Sequence, residues 1–268
     1  MRHSMIYLRK GSALNNQFST MQNTLSKVPE ITLMFWVIKI IATTLGETGG
    51  DALSMSMNLG YLVSSLIFGA IFIVAVISQI KAKKFNPYLY WITIIATTTL
   101  GTTLADFADR SLGIGYWGGT VLLSALLASS LLIWYRTEES IAVNTVNTPK
   151  VEMFYWVTIM FSQTLGTALG DWTADTAGLG YHGAAAIFGG LLLIVVLAYY
   201  RTNISRVILF WAAFVLTRPL GAVLGDYLDK PIAHGGLELS RYTASAVLLA
   251  LIIVGLLFFP SKASQKMH

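Results

Sequence analysis

The chain has no cysteine, few histidines and few charged residues, and each shortage excludes a class of protein. Without cysteine there are no disulfides, no thiolate metal sites and no cysteine nucleophile. Aspartate, glutamate, lysine and arginine make up 12% of the 268 residues, whereas soluble domains contain about a quarter. Hydrophobic residues account for 55%, and the mean hydropathy is +0.65. The composition therefore predicts an integral membrane protein whose main partner is the lipid bilayer.

Eight apolar segments of similar length follow one another along the chain. They are residues 31–51, 61–80, 88–108, 116–135, 152–172, 182–200, 206–226 and 240–259. A helix of about 20 residues crosses the hydrocarbon layer, and a segment in lipid must satisfy its own backbone hydrogen bonds. We therefore predict an all-α, polytopic protein with eight transmembrane helices.

Lysine and arginine are concentrated in alternate connections between these segments. Examples are Lys27 before the first segment and Lys83, Arg136, Arg201 and Lys262 after the second, fourth, sixth and eighth. Because short basic connections stay in the cytoplasm, we predict that both termini are cytoplasmic. The net charge of +5 is then a consequence of topology, and we expect no nucleic-acid partner.

One pattern of three residues occurs four times: a tryptophan, a glycine ten positions later and an aspartate fifteen positions later. The sets are Trp36, Gly46 and Asp51; Trp91, Gly101 and Asp106; Trp156, Gly166 and Asp171; and Trp211, Gly221 and Asp226. Each set opens a unit with two crossings, so successive units enter the membrane in the same direction as parallel helical-hairpin repeats. We expect the tryptophans at the cytoplasmic interface of the membrane.

The spacing of the tryptophans divides the chain into repeats and connections. The predicted units are a flexible cytoplasmic N-terminus at 1–30, repeat 1 at 31–86, repeat 2 at 87–136, a cytoplasmic linker at 137–151, repeat 3 at 152–203, repeat 4 at 204–260 and a cytoplasmic tail at 261–268.

The first helix of each repeat carries two stripes of residues spaced four apart. Positions ten and fourteen past the tryptophan are always glycine or alanine, which predicts a groove for a neighbouring helix. Positions seven, eleven and fifteen are Thr43, Glu47 and Asp51; Thr98, Thr102 and Asp106; Gln163, Thr167 and Asp171; and Arg218, Ala222 and Asp226. Charged residues facing lipid are costly, so this polar stripe should face the bundle interior. The plainer interpretation is that it supplies hydrogen bonds between helices and that the aspartates cap helix ends.

The copies differ at their most informative positions. Glu47 lies about 16 Å along the helix from Trp36, near the membrane midplane, and Lys39 and Arg218 are also deep in helices. If Glu47 and the four repeat aspartates are ionised, five negative charges face two positive ones, which leaves three in excess. Such a surplus predicts an acidic, water-accessible cavity that attracts cations.

Repeat 4 departs from the pattern where Pro219 replaces threonine beside Arg218. Proline inside a helix removes a backbone hydrogen bond and usually kinks the helix. This helix is therefore the candidate for a gate. A static kink, in which Arg218 neutralises a structural acid, is the alternative.

The tripeptides Thr44-Leu45-Gly46, Thr99-Leu100-Gly101 and Thr164-Leu165-Gly166, with the aspartates that follow them, carry a family resemblance. The chain resembles the bacterial membrane proteins built of four tandem repeats of unknown function, over about residues 31–260. The resemblance implies a multi-pass protein of the bacterial inner membrane, and an association with divalent-metal efflux.

These observations favour a transporter that exports a hard divalent cation of the manganese type, in which protonation of the same carboxylates could couple proton uptake to release of the ion. Its predicted metal ligands are Glu47, Asp51, Asp106, Asp171 and Asp226, since oxygen ligands without cysteine suit Mg, Ca or Mn. The polar lining would be Thr43, Thr98, Thr102, Gln163 and Thr167, and the charge partners or gate would be Lys39, Arg218 and Pro219. We expect no catalytic residues and no cofactor.

Two other functions fit the same sequence. Four parallel units around one axis could line the pore of a cation channel. A non-transporting membrane protein, structural or enzymatic, predicts a dry interior in which Glu47 pairs with Lys39 and Arg218 pairs with an aspartate.

Overall fold

The computed structural model describes residues 26–264, and long helices make up most of that range. The eight helices are α1 Leu33–Asp51, α2 Gly60–Lys81, α3 Pro87–Asp106, α4 Gly115–Glu138, α5 Pro149–Asp171, α6 Gly180–Arg201, α7 Arg206–Asp229 and α8 Arg241–Phe258. The all-α class and the eight long helices predicted from hydropathy are confirmed.

Local sequence explains where several helices begin. Thr32, Asn86 and Thr148 each accept a hydrogen bond from the backbone N–H three residues later, which satisfies a free donor of α1, α3 and α5. Pro87 and Pro149 occupy the first turns of α3 and α5, where proline is tolerated because no N–H is needed.

Five of the eight helices are long and apolar enough to cross a membrane: α2, α4, α6, α7 and α8. In α2, α4, α6 and α8, between 11% and 22% of the most apolar stretch is buried inside the protein, compared with 61% in α7. A helix that is apolar on nearly every exposed face is typical of one surrounded by lipid. The chain thus has the character of a multi-pass membrane protein.

The first helices of the four repeats form a closed inner ring. Helix α1 packs on α3, α3 on α5, α5 on α7, and α7 returns to α1. Phe35 contacts Trp91 and Gly50 contacts Thr102, so α1 and α3 run in the same direction. We call the two ends of this ring the tryptophan end and the aspartate end, after the repeat residues located there.

The second helix of each repeat packs on the inner helix of the next repeat. Helix α2 lies against α3, α4 against α5 and α6 against α7, and the last helix, α8, lies against α1. Thr48 of α1 and Ser245 of α8 are joined by a 2.8 Å hydrogen bond between their hydroxyls. The repeats are therefore interlocked around the ring.

A buried layer of aromatic side chains closes the tryptophan end. The residue before each tryptophan is also aromatic, and it contacts the tryptophan of the following repeat, with ring centroids 5.4 to 6.3 Å apart. The pairs are Phe35 and Trp91, Tyr90 and Trp156, Tyr155 and Trp211, and Phe210 and Trp36. The Tyr90 and Tyr155 hydroxyls form a 2.7 Å hydrogen bond.

This layer changes the interpretation of the tryptophans. We expected them at the membrane interface, but Trp91, Trp156 and Trp211 are 1%, 2% and 5% exposed. Large aromatic rings are efficient core fillers. In repeats 2 to 4 the tryptophan is therefore a core residue between neighbouring inner helices, and Trp36 is partly buried against the same core.

Residues near both ends of the described range cover the tryptophan end. Lys27 forms an ion pair with Glu152 at 2.7 Å and donates to the carbonyl oxygens of Gln79 and Ile80. The backbone N–H of Ser264 donates to the carbonyl of Val28. The flexible N-terminus predicted for residues 1–30 lies outside the described residues up to 25, whereas residues 26–30 are held by these contacts.

Candidate functional site

The two stripes predicted on the inner helices fit into each other. A Cβ atom placed on Gly46 would lie 2.4 Å from Thr98, and one placed on Gly221 would lie 2.1 Å from Thr43. The same relation joins Gly101 to Gln163, Gly166 to Arg218, Gly50 to Thr102 and Gly225 to Glu47. The groove of each inner helix thus receives positions seven and eleven of a neighbour, and the polar stripe faces the interior as predicted.

Arg218 lies across the axis of the inner ring. Its Nη2 is 3.0 Å from Oε2 of Glu47 on α1 and 2.6 Å from Oγ1 of Thr102 on α3, and it also contacts Thr167 on α5. One nitrogen of α7 therefore reaches all three other inner helices. Since Arg218 is fully buried and Glu47 is 2% exposed, this is an ion pair screened from solvent.

The four repeat aspartates are buried and linked in two pairs by basic residues. Arg110 Nε is 2.9 Å from Asp106, and its Nη2 is 3.3 Å from Asp171. Lys230 bridges Asp226, at 3.1 Å, and Asp51.

Arg110 and Lys230 each lie four residues after the aspartate of their own repeat. Repeats 1 and 3 have Met55 and Asp175 at that position. The aspartate end consequently has approximate twofold symmetry, although the tryptophan, glycine and aspartate pattern itself is fourfold.

Three of the five predicted metal ligands come together. One carboxylate oxygen from each of Glu47, Asp51 and Asp226 lies within 4.8 Å of the others. Asp106 and Asp171 form the separate pair around Arg110. The sequence predicted a common layer of acids, and the structure divides it into a group of three and a pair.

The predicted surplus of three negative charges is too large, because it omitted Arg110 and Lys230. Both lie outside the predicted apolar segments, yet each contacts two repeat aspartates. With Lys39 and Arg218 included, four cations now face the five acids. The surplus over these five acids therefore falls from three to one.

Lys39 is buried in the core but is not the partner of Glu47. Its Nζ lies 4.0 Å above the ring of Phe214 and 3.4 Å from Oγ1 of Thr217. Among residues 26–264, no ion pair joins Lys39 to a carboxylate, and the basic partner of Glu47 is Arg218. The pairing of Glu47 with Lys39 expected for a non-transporting protein is wrong.

The aspartate end is completed differently in repeat 4. In repeats 1 to 3, the outer helix begins at Gly60, Gly115 or Gly180, each with positive φ, after a π-helical turn. In repeat 4, α7 continues to Asp229, and a longer connection with a 3₁₀ turn at Ile232–His234 leads to α8. The α7 helix continues through Pro219.

Arg241, at the start of α8, closes this connection onto α7. Its Nε lies 2.9 Å from Asp229 and 3.8 Å from Asp51. Lys230 is held in the same connection, where its carbonyl accepts from the N–H of Glu238.

Basic residues outside the apolar spans are the main feature that sequence reasoning missed. Arg110 and Lys230 follow their aspartates at the helical spacing of four, which is the spacing of stabilising ion pairs. Just beyond α3, the guanidinium of Arg110 has a pKa that burial lowers but the Asp106 and Asp171 carboxylates raise more strongly. Arg110 therefore stays charged, and the spacing in the sequence was the available signal for its role.

Comparison with known proteins identifies a family but no activity. Residues 34–85, 89–140, 154–205 and 209–262 each match the family described as Repeat of Unknown Function (DUF347). No curated protein and no solved structure matched the chain. The association with divalent-metal efflux has no support in these comparisons. With four matched segments that cover most of its length, the chain belongs to the family of the Repeat of Unknown Function (DUF347).

Proposed function

We propose that all eight long helices cross a membrane, with both termini on the cytoplasmic side of a bacterial inner membrane. The apolar outer helices α2, α4, α6 and α8 supply a lipid-facing surface. Helices α1, α3 and α5 carry polar stripes that could not face lipid, but these stripes lie inside the inner ring, against neighbouring inner helices, and one outer helix packs on each inner helix from outside. The basic connections at the tryptophan end support the orientation.

We further propose that the protein transports a small inorganic cation, most simply a hard divalent ion of the manganese type. The observation that carries this proposal is the approach of Glu47, Asp51 and Asp226 to within 4.8 Å inside a helical bundle. Carboxylate oxygens are the ligands that Mn²⁺, Mg²⁺ and Ca²⁺ favour. Buried carboxylates that come this close must either hold a proton or have a cation among them.

In the described arrangement, protein cations supply that charge. Lys230 contacts Asp51 and Asp226, while Arg218 contacts Glu47. A transported cation would take the place of these groups, and their return would release it. In such an exchange, the transported ion and the Lys230 ammonium would compete for the same carboxylates. Protons that bind these carboxylates when the ion leaves would couple cation transport to proton transport.

The side chains that block the axis of the inner ring favour a carrier over a channel. Arg218 contacts residues of the other three inner helices, and the aromatic layer packs across the tryptophan end. A conducting pore needs a continuous wet path, whereas a carrier requires that one side be closed. Arg218, next to Pro219, is the proposed element whose movement opens the axis.

A structural protein without transport activity is the second candidate. Its support is that each repeat aspartate already has a basic partner at the aspartate end. Under this alternative, the ion pairs hold the repeats in register and bind no exogenous ion.

Flux into proteoliposomes separates these functions. We expect saturable, pH-dependent Mn²⁺ uptake that falls at least tenfold in Glu47→Gln and Asp51→Asn. Asp175→Asn is the matched control, because Asp175 is exposed at the same end and should retain flux. Equal flux in the unaltered protein and the three variants would exclude Glu47 and Asp51 as ligands. The absence of flux for any divalent ion would favour the structural role. Single-channel currents would favour the channel.

A further inference from the structure

A second polar cluster lies on the axis, on the tryptophan side of the Glu47 carboxylate. It consists of Lys39 of α1, Thr98 of α3, Gln163 of α5 and Arg218 of α7, and we call it the axial polar cluster. Each of the four side chains is 0% exposed. One inner helix contributes each member, so the cluster surrounds the axis.

Repeat position puts these side chains at nearly the same level of the inner ring. Thr98, Gln163 and Arg218 all lie seven residues past the tryptophan of their repeat. Arg218 demonstrably reaches the axis, since it contacts three other inner helices. Lys39 lies four residues earlier in the repeat, one helical turn toward the tryptophan end on the same face.

Lys39 is the polar exception in an otherwise apolar layer. The equivalent residues of the other repeats are Ile94, Ile159 and Phe214, and all are fully buried. An ammonium group has three donors, but that of Lys39 has one long hydrogen bond, to Thr217 at 3.4 Å. Its nitrogen faces the aromatic ring of Phe214 rather than a carboxylate.

The other members also have unused polar atoms. Within residues 26–264, the Nε and Nη1 of Arg218, both amide atoms of Gln163 and the hydroxyl of Thr98 have no hydrogen-bond partner. Buried polar groups are nearly always paired with protein, water or a ligand. A buried charge without a counter-charge is costlier still. The cluster therefore has more donors than the described residues satisfy, and its two basic side chains have one carboxylate partner between them, Glu47.

We propose that the axial polar cluster binds a small inorganic anion of the halide or nitrate class. Lys39 and Arg218 supply the charge, and the amide of Gln163 and the hydroxyl of Thr98 supply neutral donors. Water would pair with the donors, whereas an anion would also supply the counter-charge that keeps a buried ammonium protonated. The carboxylate of Glu47 is engaged by Nη2 of Arg218, which leaves Nε and Nη1 without a protein partner among the described residues.

This site is separate from the proposed cation site. The cation would bind at Glu47, Asp51 and Asp226, whereas the anion would bind on the other side of Arg218. Anion binding does not depend on cation transport and can be measured with divalent ions chelated.

The test is a titration of the purified full-length protein, in uncharged detergent with EDTA and a gluconate background. We expect chloride and bromide to raise the thermal unfolding midpoint in a saturable way. Lys39→Met, which keeps the length of the side chain and removes its charge, should weaken the apparent affinity at least tenfold. Lys150→Met makes the same change at an exposed lysine and should match the unaltered protein.

Two further measurements decide the outcome if Lys39→Met does not fold. Gln163→Leu should weaken the response to bromide, because it removes a neutral donor. Crystals of the unaltered protein grown in bromide should show an anomalous peak beside Lys39. No halide dependence, an unchanged response in both cluster variants, or a crystal with no peak at Lys39 would overturn the proposal.

Discussion

Arg218 and Glu47 form an ion pair across the axis of the inner ring, with Nη2 and Oε2 3.0 Å apart. The pair joins the last repeat to the first, since α7 and α1 carry the two residues. Both side chains are screened from solvent. The ring is thus closed by an electrostatic contact as well as by packing.

Replacing one residue of this pair should destabilise the protein far more than the removal of both charges would suggest. Glu47→Gln and Arg218→Met each leave one buried group uncompensated, at a cost of about 3–5 kcal/mol. The double variant should lose less than the sum of the two. Thermal unfolding of the four proteins in detergent gives the coupling energy, and additive effects would contradict the pairing.

Close packing between inner helices predicts opposite outcomes for two glycines of α1. Gly46→Ala places a Cβ 2.4 Å from Thr98, while Gly49→Ala places one 3.6 Å from Thr99. The first change should lower stability by about 1–3 kcal/mol through overpacking. The second should be neutral or raise it by up to about 1 kcal/mol, because alanine favours helix.

The unfolding midpoints of these two variants in one detergent provide the comparison. A loss for Gly49→Ala as large as that for Gly46→Ala would mean that the contact with Thr98 is not what limits the approach of the helices.

Asp109 should make stability depend on pH. It lies beyond α3, and burial raises the pKa of its carboxyl to about 6, opposed by Arg110. Because the folded-state pKa is higher than that of the unfolded chain, about 4, ionised Asp109 costs stability above pH 6. That cost shrinks as the pH falls from 6 towards 4.

Asp109→Asn should therefore raise the unfolding midpoint at pH 7.5, with a smaller gain at pH 5 and almost none near pH 4. The control is Asp175→Asn, at an exposed aspartate, where little change is expected at any of these values. A gain that is constant with pH would rule out the titration of Asp109 as its cause.

Topology can be tested directly, because the chain has no cysteine of its own. Single substitutions Lys83→Cys and Leu112→Cys place a thiol in exposed connections at opposite ends of the bundle. In intact bacterial cells, a membrane-impermeant maleimide should label Leu112→Cys at once and Lys83→Cys after lysis only. Labelling of Lys83→Cys in intact cells would reverse or refute the proposed orientation.

Periodic features of the fold could be read from the sequence. The four repeats, the eight helices and the inward direction of the polar stripe all follow from spacing, since a helix places residues four apart on one face. The contacts between glycines and polar residues of a neighbouring helix could be predicted only in part. Spacing identifies a groove, but not the side chain that fills it.

The sequence could not predict which charged residues pair when several equivalent partners lie far apart in the chain. Nothing local distinguishes Lys39 from Arg218 as the partner of Glu47, and the distance between helices decided for Arg218. Likewise, Arg110 and Lys230 lie outside the apolar spans, so the hydropathy pattern gives no reason to expect that they are buried. Their burial depends on how two neighbouring repeats meet.

The exchange of outer helices between successive repeats has a consequence for how the molecule is assembled. During synthesis, the outward face of α1 stays without its protein neighbour until α8, the last helix, has been made. If the chain were cut in the linker, the first half would contain α4 without α5 and α1 without α8. The second half would contain α8 without α1 and α5 without α4. Two copies of such a half are complementary, and an ancestral protein of two repeats would therefore have completed the same ring as a symmetric dimer.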